Sequence, residues 1–322
     1  MVQLETNAIN VLMLMTHDSE KYKNVVKSPS AKNLRFSVDI GTYGDASLSR
    51  GDLGNQLFQV VAAMTYAWKY NSVVVIETPT EENGIKIDCF SLEGLLIESG
   101  INISSSLKET NFCVSNYKSA MMFLATHFKE NETVKLEGYF QNWRFAKMIE
   151  KKVRKCFSFK ESYEAFANDI IKNIKFKFPN HAIIGVHYRS DDQSDSSGYH
   201  VGSEINHPSM TDEYYKKAII EIENDLDTPA KYIIFSNNAA AAKKAFSNPE
   251  HIDKIIFAED FKSKEDSHKR TDNDILSSFS APVDLCILSK CDGHIISNST
   301  FSWWGAWLAN SENVVAPSRC RW

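Results

Sequence analysis

Ile295-Ile296-Ser297-Asn298-Ser299-Thr300-Phe301-Ser302-Trp303-Trp304-Gly305-Ala306-Trp307-Leu308 is the stretch on which the reading of this chain turns. An apolar pair that reads as the end of a short strand runs into four small hydroxyl or amide residues, and an aromatic helix follows. Backbone N–H groups and hydroxyls then converge where the helix dipole favours an anion, as in a phosphate seat. Ordinary N-capping of a buried helix gives the same pattern, because Ser and Thr cap helices widely. Three tryptophans between positions 303 and 307 weigh toward something rigid, such as a wall against a ligand or a second domain.

Outward from that run, strands and helices alternate. In the C-terminal half, strands are expected over 182–187, 232–236, 254–257 and 293–297, with helices near 211–225, 239–246 and 281–289 between them. In the N-terminal half, a strand over 34–38 leads through a Gly-rich turn (41–54) to a helix over 55–70 and the β-branched strand 72–76. A strand over 134–136 then enters the aromatic turn Glu137-Gly138-Tyr139-Phe140-Gln141-Asn142-Trp143, and residues 161–175 form an amphipathic helix. Such alternation implies α/β architecture, with parallel sheets, right-handed crossovers and ligands at the carboxyl ends of the strands. A length of 322 residues suits two domains, expected at 35–180 and 181–322 after an N-terminal extension, 1–34, to which no function is assigned.

The composition, 43% apolar and 24% charged, is that of a globular protein. A net charge of -5 argues against binding nucleic acid by bulk charge, so local groups must meet any anionic ligand. The early apolar run 9–15 is too short for a membrane span or a secretory signal, which makes a cytoplasmic location the expectation. Six cysteines (Cys89, Cys113, Cys156, Cys286, Cys291, Cys320) contain no Cys-x-x-Cys pair and read as reduced thiols.

Three candidate sites fall at strand ends. In Gly51-Asp52-Leu53-Gly54-Asn55-Gln56-Leu57-Phe58-Gln59, two glycines permit close backbone approach and Asn55 opens a helix, but the third glycine of a dinucleotide fingerprint is missing. A structural turn explains this as well as a ligand loop does. In His187-Tyr188-Arg189-Ser190-Asp191-Asp192, a guanidinium at a strand end suits a phosphate, against the alternative of a salt bridge to Asp192. The third is the hydroxyl-rich run itself, with Asp284 on the preceding helix able to accept hydrogen bonds from a base edge. Two metal-like patterns are weaker. Asp191-Asp192-x-x-Asp195 resembles the diphosphate-metal motif of all-helical prenyl-transferring enzymes but follows a strand, and Asp225-x-Asp227 sits in a polar turn before Pro229. His200 and His207 read as surface residues.

Together the three sites resemble the α-1,2-fucosyltransferase family, glycosyltransferase family eleven, over roughly 34–322. Its Gly-x-Leu-Gly-Asn-Gln-x-Phe-Gln signature matches Gly51 to Gln59, its Glu-Gly-Tyr-Phe-Gln-x-Trp segment matches Glu137 to Trp143, and its Ser-Thr-Phe-Ser-Trp-Trp-Gly-Ala-Trp segment matches Ser299 to Trp307. Its His-x-Arg-Arg-Gly-Asp motif keeps His187, Arg189 and Asp192 but has Ser190 and Asp191 in place of Arg and Gly, a change of two charge units beside a diphosphate. The resemblance implies a GT-B fold, two Rossmann-like domains facing across a cleft, and inverting transfer of L-fucose from GDP-β-L-fucose to the 2-hydroxyl of a terminal β-galactoside. No metal or resident cofactor is expected; GDP-fucose is a substrate, and an oligosaccharide with terminal galactose is the other partner. By the same resemblance Arg189 holds the β-phosphate, Ser299, Thr300 and Phe301 cradle the phosphates, and Asp284 and His187 meet guanine. Ser236 joins the donor-binding residues, and Asn55 with Gly54 approaches from the N-terminal domain. Asp192 and Glu137 are the candidate general bases. Family members usually carry a further strand and helix beyond the position of Trp322, which leaves open whether the C-terminus is trimmed. Three other readings stand beside this one: another GDP-hexose donor or a non-galactose acceptor, an inactive glycan-binding relic, and a metal-dependent transferase using Asp225 and Asp227.

Overall fold

Among the described residues the strands form two all-parallel five-stranded sheets. The computed structural model describes residues 33–39, 53–77, 86–98, 105–108, 128–190, 209–247, 252–261 and 281–318. Gly51, Asp52, Asp191, Asp192, Asp195, His200, His207, Cys113, Cys320 and residues 1–32 and 319–322 lie outside that set.

The first sheet has the order β3-β2-β1-β5-β4, built from β1 (Arg35–Asp39), β2 (Val73–Glu77), β3 (Leu95–Glu98), β4 (Ser105–Lys108) and β5 (Thr133–Glu137). Its crossover helix α1 (Leu53–Tyr70) is buried along nearly its whole length, and Phe36 of β1 stacks on Tyr66 at 5.3 Å between ring centroids. Gly54 is therefore the second residue of a helix rather than part of the turn expected through position 54. The opposite sheet face mixes the buried Val75 with polar residues. There Lys135 lies in register with Ser37, and Glu77 bonds both, with its Oε2 3.0 Å from Lys135 Nζ. Helices α2 (Trp143–Met148) and α3 (Glu150–Cys156) follow β5.

The second sheet has the order β10-β9-β6-β7-β8, from β6 (Ala182–Tyr188), β7 (Ala230–Ser236), β8 (Ile255–Phe257), β9 (Gly293–Ile295) and β10 (Asn313–Val315). Between its strands run α5 (Asp212–Asn224), α6 (Ala239–Ala245), α7 (Ala281–Leu288) and α8 (Thr300–Ala309). Strand order reverses between β6 and β9, the point at which doubly wound sheets hold their ligands. Pairing of β6 with β7 continues to Tyr188↔Ser236, whereas pairing with β9 stops at Val186↔Ile295. Ile184 and Val186 face Tyr215, Ile219 and Ile222 of α5. On the other face a side chain at Gly185 would collide with Leu288 of α7, and one at Gly305 of α8 would meet the Cγ of the same leucine at 2.6 Å. Both glycines are needed so that Leu288 can wedge between β6 and α8.

The units divide between Lys160 and Glu161, twenty residues before the boundary expected at 180/181. Helix α4 (Glu161–Lys177) buries Ala167, Ile171 and Ile174 and belongs with the second sheet. Cys286 Sγ donates to Tyr163 O at 3.4 Å, Lys290 pairs with Glu164, and Lys175 reaches Asp292 at 2.8 Å. Asp292 in turn accepts the Ile183 N–H at 2.9 Å. An amphipathic helix needs an apolar partner, and α7 supplies it. The described cysteines, Cys89, Cys156, Cys286 and Cys291, are free and buried. Burial pushes the Cys156 and Cys286 thiols up to about 12, so both stay protonated at neutral pH. Among the described residues no helix is long and apolar enough to cross a membrane.

Gly305→Ala is expected to cost about 1–3 kcal/mol in urea unfolding through overpacking against Leu288. Combined with Leu288→Ala it should destabilise by clearly less than the sum of the two single changes, because the added methyl then fills the vacated space.

Candidate functional site

The crevice opens where β6 and β9 part. His187, the residue after the last β9-paired position, is buried with its ring turned to the side of α8: Nδ1 lies 2.8 Å from Ser297 Oγ, and the ring is 5.2 Å from that of Phe301. Consecutive tyrosines on the first turn of α5 take up two carbonyls at these strand ends, that of His187 on the β9 side of β6 and that of Ile296 on the β10 side of β9, where the Ile296 N–H bonds Val315 O at 2.9 Å. Tyr215 donates its hydroxyl to His187 O at 3.1 Å, and Tyr214 donates to Ile296 O at 2.6 Å. A buried carbonyl left unpaired costs about 1–3 kcal/mol, so this pair sets where the two strand ends stand.

On the β9 side, Ser299 is the N-cap of α8 with extended backbone and makes no side-chain cap bond. The first bond of the helix ladder runs from Trp303 N–H to Ser299 O at 3.1 Å, so the N–H groups of Thr300, Phe301 and Ser302 precede it at the positive end of the helix. Ser302 instead turns its hydroxyl back to Ser299 O at 3.1 Å, and the buried Ser297 and Asn298 lead into the turn. Behind it the three tryptophans close on one another: Trp303 stacks on Trp307 at 6.2 Å, and Trp304 meets both edge-on.

On the β6 side, Arg189 is half-buried just beyond the strand and, among the described residues, has no hydrogen-bond or ion-pair partner. The backbone that carries it is gripped at the next residue. Asn237, after β7, accepts the Ser190 N–H at 3.0 Å and donates to Ser190 O at 2.9 Å, so one side chain extends the β6–β7 ladder past its end. Ser236 is at the same edge, but its hydroxyl is engaged locally, accepting from Asn238 N–H and donating to Asn238 O, both at 3.0 Å, at the cap of α6. Asp284 occupies the first turn of α7 with its Oδ1 buried. Asp225 caps the end of α5, and Asp227 is exposed in the turn beyond.

The other unit has its own strand-order reversal, between β1 and β5, and there the amide residues gather. Gln141 Nε2 donates to Asn55 Oδ1 at 2.7 Å, and Gln59 Nε2 donates to Gly138 O at 2.8 Å. Asn142 caps α2 through Arg144 N–H. The segment between is tightly folded: Gly138 has φ 134°, the fully buried Phe140 has φ 48°, and Asn142 N–H bonds Phe140 O at 2.7 Å. A bulky residue in the left-handed region stores strain, which persists where the surroundings fix it. Glu137, at the end of β5, adjoins this turn. Thus His187, Ser299, Phe301 and the backbone of Arg189 come together in one unit, and Gly54 and Asn55 join the Glu137–Asn142 turn in the other. Sequence reading passed over Tyr214, Tyr215 and Asn237, whose partners lie 28 to 82 positions away, and took Ser297 only as part of the hydroxyl-rich run, without its bond to His187.

The model of the family described as glycosyl transferase family 11 matches residues 50–318. The chain belongs to that family. Within the wider circle of glycosyltransferases, the chain is 21% identical to an alpha-1,2-colitosyltransferase of Escherichia coli over 84% of its own length and 90% of that protein. It is 32% identical to the O-antigen biosynthesis glycosyltransferase WbnK of Escherichia coli over 116 residues, which span only 32% of WbnK. Its fold is of the GT-B type and is like that of the fucosyltransferase NodZ from Bradyrhizobium, with a TM-score of 0.54 at 12% identity over 89% of this chain and 97% of NodZ.

Burial, helped by the Arg189 charge, depresses His187 to about 3, and burial depresses the core residue His294 to about 4 despite its bond to Leu288 O. Both rings are neutral in the folded family 11 chain at neutral pH. Above the unfolded value of 6.5 neither affects stability. Below it the unfolded chain takes up protons that the folded chain refuses, so stability falls as pH drops from 6.5 toward the folded values. Each ring contributes about 2 kcal/mol of loss at pH 5. His187→Gln should therefore lose less stability than wild type between pH 7 and pH 5 in urea titrations, by about 1–2 kcal/mol; equal losses would mean that His187 protonates freely in the fold.

Proposed function

We propose that this glycosyltransferase transfers L-fucose from GDP-β-L-fucose to the 2-hydroxyl of a terminal β-galactoside, with inversion and without a metal. One observation carries the reading: at the strand-order reversal a buried, neutral His187, under the influence of the Arg189 charge, meets Ser297 and Phe301 at the start of α8, in a chain of family 11. A departing GDP needs its diphosphate charge stabilised as the glycosidic C–O bond breaks. A guanidinium and N–H groups at a helix N-terminus supply that stabilisation in place without reorganisation. In this reading Arg189 holds the β-phosphate, Ser299, Thr300 and Phe301 the phosphates, and His187 and Asp284 the guanine, with Ser236 at the rim. Asn55 and Gly54 complete the donor-binding set. The acceptor hydroxyl attacks the anomeric carbon opposite the leaving diphosphate through an oxocarbenium-like state and passes its proton to a carboxylate, Asp192 or Glu137.

A second reading keeps the site and changes the sugar. The relative aligned over most of both chains is named for colitosyl transfer with a 1,2 linkage, so a GDP-hexose other than GDP-fucose, or a non-galactose acceptor, fits the same family.

The test is mass-spectrometric transfer from GDP-fucose to lactose and N-acetyllactosamine in EDTA. The expected result is a gain of one deoxyhexose on each, and none on a 2-deoxygalactoside. Arg189→Ala should lower kcat/KM by about 100-fold or more. Full turnover in that variant would remove Arg189 from the diphosphate site, loss of activity in EDTA would bring back a metal, and GDP binding without fucose transfer would favour the second reading.

A further inference from the structure

Ser297 stands outside every role assigned above, yet it makes the one polar contact to the His187 ring among the described residues. Its hydroxyl is buried, its carbonyl accepts from Ser299 N–H at 2.8 Å and from the Ser302 hydroxyl at 3.4 Å, and its Oγ has no partner besides His187 Nδ1 among the described residues. Two arrangements of the shared proton are conceivable. If Nδ1 carried the hydrogen and donated it, the buried Ser297 hydroxyl would have nothing to donate to, at a cost of about 1–3 kcal/mol. If Ser297 donates, both groups are satisfied and the single ring proton sits on Nε2. Nε2 has no partner among the described residues, and the Tyr215 bond to His187 O fixes the backbone from which the ring projects.

We propose that Ser297 is a positioning residue that holds His187 in its Nε2–H form, so that the ring offers the donor site a hydrogen-bond donor and never an acceptor. The proposal rests on the GDP-sugar reading for its use, but not for the tautomer. An N–H at this point selects a ligand acceptor, either a purine carbonyl or a phosphate oxygen. A purine bearing an amino group in place of the carbonyl would set donor against donor and be rejected.

Long-range ¹H–¹⁵N spectra of the full-length, ¹⁵N-labelled protein test this directly, with His187→Gln assigning the signals. His187 is expected to show a pyridine-type Nδ1 and a pyrrole-type Nε2. In Ser297→Ala the Nδ1–H form should appear and GDP should bind about tenfold more weakly by calorimetry, while Ser297→Thr keeps both properties of the wild type. Loss of GDP binding with ADP binding unchanged places the acceptor on the base; equal losses for GDP, ADP and inorganic diphosphate place it on a phosphate, and either supports the proposal. An Nδ1–H ring in the wild type, or a Ser297→Ala protein with unchanged spectrum and GDP affinity, overturns it. A wild type that binds no GDP overturns the GDP-sugar reading alone, since the imidazole spectrum still decides the tautomer.

Discussion

Parting of β6 from β9 after Val186 and Ile295 is the constraint on which the second unit depends. A parallel sheet that reverses its strand order must let two neighbouring strands diverge, and every backbone group released there needs a partner. Tyr215 supplies one for the His187 carbonyl, and Tyr214 bonds the Ile296 carbonyl on the β10 side, which ties the entry of α5 to the floor of the crevice. Across the sheet, Gly185 and Gly305 give Leu288 room, so α7 and α8 lie close enough for Ser297 to reach His187. Depth of the crevice, ring orientation and helix spacing are thus one packing solution.

Elements with strong local patterns were legible in the sequence. The strands expected over 72–76 and 182–187, the helices expected over 211–225 and 239–246 and the polar-to-aromatic switch at Ser299 give boundaries within about two residues of those observed. β3, β4 and β10 were missed for separate physical reasons. Leu95–Glu98 is four residues without alternation, Ser105–Lys108 is mostly polar, and Asn313–Val315 is a three-residue edge strand specified by its neighbour β9 rather than by its own composition. Residues 161–175 read as an amphipathic helix, but the sequence does not show that its apolar side packs with the unit of the second sheet.

Within the candidate site, sequence reading names residues of contiguous motifs and leaves out those that support them from a distance. Ser190 illustrates the difference. Read as a letter, it is a lost arginine; in the fold its peptide N–H and C=O are what Asn237 grips, so the backbone contact does not depend on the side chain at that position. Gln141 and Asn55 show the same in the other unit, where two amides 86 positions apart share a bond that neither motif announces.

Half of the chain's six tryptophans occupy the packet formed by Trp303, Trp304 and Trp307, all nearly inaccessible to water and within 6.2 Å of one another by ring centroid. Indoles this close share excitation energy, and their emission is sensitive to the dipoles of the helix that carries them. The same helix begins at the anion-favouring turn, so the protein's own ultraviolet fluorescence and aromatic circular dichroism are weighted toward the back wall of its crevice, an optical label already in place without any dye.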